Sequence, residues 1–170
     1  MDAATAKIGF KLRMALEQEV SILENLLDVM RQENHLLVNS DTREIFGLNK
    51  SKEILILQHS YIDRNRRDLV TSLSDMLDLK NSKPNLEQLC GVFDEKLGSD
   101  IRVMNSRMKT HVDDIQLLSA ENGKLIECSI RAVKDSWAML KRQFFNKDVQ
   151  NTKNPLSEKQ EEGVLIHGRI

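Results

Sequence analysis

The chain has 170 residues, of which 40% are hydrophobic and 30% charged, with 25 Lys and Arg against 26 Asp and Glu. A formal charge of -1 excludes a protein that relies on a net basic surface to hold nucleic acid. With 7 Gly and 2 Pro there are too few turn formers for an all-β chain, and aromatics at 4% require an aliphatic core.

At this length one domain is expected. No run of about 18 apolar residues occurs, and the first residues lack a basic stretch followed by an apolar one, so neither a membrane span nor a Sec-type signal peptide is expected. Cys90 and Cys128 stand far apart and outside any CxxC pattern, as expected of reduced, buried and inert thiols in the cytoplasm.

Residues 6–38 form the first amphipathic helix. In heptads with Leu12, Glu19, Leu26 and Glu33 at a, position d holds Ala15, Ile22, Val29 and Leu36, and e holds Leu16, Leu23, Met30 and Leu37. Apolar d and e positions make a stripe broad enough for a bundle, with the polar a positions at its edge. The corner Val38–Glu44 follows, where Ser40 or Asp41 can cap a second helix running to Leu79. A corner this short makes the two helices antiparallel neighbours.

The second helix carries Ile45, Leu48, Leu55, Ile62, Leu69, Leu73 and Met76, interrupted at seven-residue spacing by Lys52, His59 and Arg66. These three are expected to form a solvated rim paired with Glu19 and other acids of the first helix, with Glu19 near His59. Exposed pairs of that kind are worth at most about 1 kcal/mol. DRNRRD (Asp63–Asp68) likewise reads as a solvated face, since its arginines are flanked by Asp.

Pro84 breaks the chain within Leu79–Asn85. A short helix over LEQLCGVFDEKL then sets Leu86, Leu89 and Phe93 on one side. Gly98-Ser99-Asp100 reads as a further corner, with Ser99 or Asp100 capping the third long helix, Ile101 to about Phe145.

In that helix a holds Ile101, Met108, Ile115, Asn122, Ser129 and Ser136, and d holds Met104, His111, Leu118, Leu125, Ala132 and Met139. Asn122-Gly123 is a hairpin signal by itself, yet hydrophobic phase is kept from Leu118 to Leu125, so one continuous helix is expected. Gly123 then costs about 1 kcal/mol relative to Ala, and the a positions turn polar. From Asn146 the chain is polar, holds Pro155 and ends in VLIHGRI, the composition of a flexible tail.

The expected fold is all-α: an antiparallel bundle of three long helices plus one short helix over 1–145, with a flexible C-terminal tail over 146–170. Nothing points to catalysis, a cofactor or a metal. HExxH, the ExxH pairs of di-iron bundles and a phosphate loop are all missing. His111 beside Asp113 and Asp114 reads as a satisfied bundle histidine.

LLDVMRQENHLL (Leu26–Leu37), with Glu33 at the acidic position of LLxxExxxL, is followed by Asp41, by KxxL at Lys52–Leu55, and by Arg66 or Arg67. NxxLI recurs as Asn122–Ile126. In this order and spacing, over about 30–145, the chain resembles the FlgN family of flagellar export chaperones. The resemblance implies an all-α cytoplasmic chaperone for the C-terminal helices of hook–filament junction proteins of the FlgK and FlgL types. It would hold them unpolymerised and hand them to the type III export gate.

A helical groove can take the apolar face of such a cargo helix. The surface expected to do so is Leu118, Asn122, Leu125, Ile126, Ser129, Val133, Trp137 and Leu140. Asn122 either fixes the register of a partner, as a buried Asn does in coiled coils, or lies at the solvent edge. The competing reading is a self-associating coiled-coil scaffold; a chaperone would show weak homodimerisation at most.

Overall fold

The computed structural model describes residues 3–39, 43–78 and 86–151, with side chains as far as residue 144. It contains α1 (Ala3–Val38), α2 (Ile45–Met76), α3 (Leu86–Leu89, continued by a 3-10 turn at Cys90–Val92) and α4 (Glu95–Asn151). The three long helices and one short helix are those expected, and the described residues hold no strand. The caps at Ser40 or Asp41, the break at Pro84 and the VLIHGRI terminus lie outside the described residues. Two compact units are present, Met1–Glu127 and Cys128–Ile170.

In the first unit, α2 runs antiparallel to α1, so that Lys52 meets Glu33 and Arg66 meets Glu19. Over 95–127, α4 runs parallel to α1: Leu97 lies against Gly9, Arg107 against Glu24 and Asn122 against Asn34. The core gathers Leu12 and Leu16 of α1, Leu73 of α2, Leu86 and Leu89 of α3, Cys90, Phe93, and Ile101 of α4. Each such aliphatic side chain contributes about 1.5–3 kcal/mol on burial. Leu86, Leu89 and Phe93 share one buried side, as their spacing predicts.

The buried arc of α1 is rotated from the expected one. Val20 and Leu27, at b positions, are buried together with Leu12, Leu16, Leu23, Leu26 and Met30, whereas Ile22, Val29 and Leu36 at d are only half-buried. Apolar b positions pull the centre of the stripe toward a. Glu19 and Glu33 therefore lie in its middle and not at its edge.

The corner expected at Gly98 is absent. α4 begins at Glu95, and Asp94 caps it, its Oδ1 accepting a hydrogen bond from the Leu97 N–H at 2.8 Å. Gly98 serves close packing instead: a Cβ there would stand 2.6 Å from the Cys90 carbonyl oxygen. Backbone cannot yield as a flexible side chain can, so Gly98→Ala is expected to cost about 2 kcal/mol, read as a lowered urea midpoint. Across Asn122-Gly123 the helix is continuous, as the retained phase predicts, and a Cβ at Gly123 would meet open space. The helix passes Phe145 and ends at Asn151, while α2 stops at Met76, where Asp78 takes a left-handed conformation (φ 54°).

Candidate protein-binding surface

Two carboxylates buried among leucines organise the polar contacts of the first unit. Glu19, 1% exposed, lies 2.7 Å from Arg66 Nε and 3.3 Å from His59 Nε2. Arg66 also reaches Asp63, which holds Arg67 at 2.8 Å. The expected pairing of Glu19 with His59 is present, but the solvated rim is not: the Arg66 side chain is largely enclosed. Arg66 and Asp63 of DRNRRD belong to this layer, so that face is only partly solvated.

Glu33 is the second carboxylate. Its Oε1 accepts from Lys52 Nζ at 2.5 Å and its Oε2 from Asn122 Nδ2 at 2.9 Å. Asn122 Nδ2 also donates to the Met30 carbonyl at 3.0 Å, and its Oδ1 accepts from Asn34 Nδ2 at 2.7 Å. Both ends of this amide are satisfied inside the unit, and the residue is 3% exposed. Asn122 thus lies neither at the solvent edge nor on an open partner surface; it ties α4 to the last turns of α1.

The hydrogen bond to Glu19 raises the pKa of His59 above its ordinary 6.5. The charges of Glu19 and Asp63 assist, and burial and Arg66 oppose. A histidine with a raised folded-state pKa stabilises the fold fully below its unfolded pKa, and the gain disappears as pH rises through the folded value. Stability is therefore expected to decline from about pH 6.5 upward, and His59→Gln is expected to flatten that slope in urea titrations at fixed ionic strength.

His111 is not the satisfied histidine its position suggests. Neither ring nitrogen has an aligned partner, although Nε2 lies 3.3 Å from Glu24, which Arg107 already engages at 2.6 Å. Of the thiols, Cys90 is buried, which pushes its pKa up, whereas Cys128 is exposed against expectation. Among the described residues no group of His, Cys, Asp and Glu is placed to hold a metal. None of the described helices is long and apolar enough to cross a membrane.

The eight residues singled out from the sequence part company. In the first unit, Leu118 and Leu125 are half-buried, Asn122 is buried and Ile126 is exposed. In the second, Ser129, Val133, Trp137 and Leu140 are all exposed, Val133 at 69% and Trp137 at 62%.

Two further residues, Ile130 and Phe144, complete an exposed apolar row of Ile130, Val133, Trp137, Leu140 and Phe144. Its steps alternate between three and four residues, the pattern of a coiled-coil seam. The signal that finds the two missed residues is a change of phase. From Leu118 the row proceeds through Asn122, Ile126 and Ile130 in steps of four, which shifts the heptad by one residue, so holding one frame through it lands on Ser129 and Ser136.

A family model described as FlgN protein matches residues 9–152, most of the chain. The chain belongs to the FlgN family. FlgN proteins are flagellar export chaperones, so the resemblance carried by Leu26–Leu37 and Asn122–Ile126 is a true family relationship. No curated protein and no solved structure matches the chain. Of the FlgN-like residues, Glu33 and Asn122 hydrogen-bond each other, and Lys52 and Arg66 hold the two buried glutamates. In this FlgN-family chain those motif positions build the fold.

Proposed function

We propose that this FlgN-family chain works in the cytoplasm by binding, without chemistry. Its cargo is the C-terminal helices of hook–filament junction proteins of the FlgK and FlgL types, which it keeps unassembled and delivers to the type III export gate. The cargo surface is the row Ile130, Val133, Trp137, Leu140 and Phe144, with Ser129 beside it. Leu118, Asn122 and Leu125 serve the first unit.

One observation carries this reading: five large apolar side chains at coiled-coil spacing stand exposed on one helix face. A row of this kind is the half of an interface that an amphipathic helix completes through its i, i+3, i+4 and i+7 anchors. The single Trp within it is the residue type most enriched at binding hot spots. Co-expression with the C-terminal helical segment of a hook–filament junction protein tests the proposal. A soluble complex of fixed stoichiometry is expected, and two folded chains that stay separate would refute it.

A further inference from the structure

The borders of the exposed row say more about what it accepts, on the premise that this row is the cargo surface. With Ile130, Trp137 and Phe144 at a and Val133 and Leu140 at d, the e border is Lys134 and Lys141 and the g border is Ser129, Ser136 and Gln143. All of these side chains are exposed. Over 128–144 the basic residues are Arg131, Lys134, Lys141 and Arg142, and the one acid, Asp135, is at f, away from the seam. One border is therefore a row of ammonium groups and the other is uncharged.

In a two-helix coil, e and g side chains fold over the seam and meet those of the partner, which makes them the positions that choose it. We propose that this row selects an amphipathic helix whose apolar seam is bordered by Asp or Glu on the side meeting Lys134 and Lys141. A second copy of the chain lacks that complement. In a parallel pair Lys134 and Lys141 would meet Ser129 and Ser136. In an antiparallel pair with the rows fully overlapped, Lys134 would face Lys141 of the other copy. The parallel pair gains no ion pair and the antiparallel pair sets like charges face to face, so the border that attracts an acidic helix gives copies of the chain no matching attraction.

Trp137 lies at the centre of the row and is the only Trp, so its emission reports occupancy directly. The full chain is titrated with two synthetic heptad peptides that share one leucine seam, bordered by Glu in one and Lys in the other. The Glu-bordered peptide is expected to shift Trp137 emission to shorter wavelength and to bind about tenfold more tightly at low salt, the sum of a few modest ion pairs. The preference is expected to fade near ~0.5 M salt and to reverse in Lys134→Glu/Lys141→Glu with unchanged far-UV circular dichroism. Equal affinities, failure of both peptides to bind, or a sedimenting dimer with Trp137 already buried would each overturn the inference.

A third arm separates this inference from the function it rests on. A hook–filament junction segment that binds wild type and the charge-reversed variant equally refutes acidic selection and leaves the cargo assignment standing. A segment that binds neither, while the peptides still discriminate, refutes the cargo assignment and leaves acidic selection standing.

Discussion

Arg66→Met is expected to lower the unfolding free energy by about 3 kcal/mol, because it strips a buried carboxylate of its principal counter-ion. Glu19 is 1% exposed and would keep only His59, whose proton comes at a cost above its pKa. Asp63 would lose a partner as well. A charge left in an aliphatic interior costs far more than an exposed pair gains. The double variant Glu19→Leu/Arg66→Met removes both charges and fills the space with hydrocarbon, and it is expected to fall within about 1 kcal/mol of wild type. Urea unfolding followed by circular dichroism measures all three proteins. A loss below about 1 kcal/mol for Arg66→Met would show that water reaches Glu19 and that the layer is a rim after all.

Val133→Asp combined with Trp137→Ala is expected to weaken cargo binding more than 100-fold while leaving the unfolding midpoint unchanged. Truncating a hot-spot Trp alone costs about 2–4 kcal/mol in protein interfaces, and a carboxylate in the seam adds the desolvation of a charge. Stability is spared because both side chains are exposed in the second unit. Binding is measured by titrating the labelled junction segment into each variant. Normal binding would move the cargo to another surface. The leading alternative is the open apolar groove of the first unit, about 570 Å³, where Ile22 of α1 faces Leu57, Tyr61 and Ile62 of α2. Loss of helicity would mean that the row is buried in solution.

Those two variants probe features that the sequence revealed unequally. Helix number and order were legible because Leu, Ile and Val recur at helical spacing over runs much longer than one turn. Continuity through Asn122-Gly123 was legible because an intact phase outweighs one dipeptide. The burial of Glu19 and Glu33 was not, since charged residues at the middle of a stripe are rare. Val20 and Leu27 were the cue that the stripe was wider than d and e. At Gly98 a glycine read as a turn proved to be a close approach of two backbones, and spacing alone cannot separate those uses. The exposed row of α4 was half legible: Val133, Trp137 and Leu140 were found, and Ile130 and Phe144 fell outside a heptad frame held rigid through a one-residue shift.

The two buried glutamates also count. They stand two heptads apart on α1, and the cations of α2 repeat every heptad as Lys52, His59 and Arg66. In the native pairing both carboxylates are met. Slide α2 by one heptad so that Glu33 faces His59, and Leu73 replaces Arg66 beside Glu19, with Arg66 moved to the place of His59. Slide it the other way so that His59 takes the place of Arg66, and Glu33 falls opposite Ile45. A uniform leucine stripe would tolerate either misalignment at little cost, whereas here the first takes one of two cations from Glu19 and the second leaves Glu33 without its lysine. The buried pairs add little stability over an all-aliphatic hairpin, and what they supply instead is a preference for one register of α2 on α1.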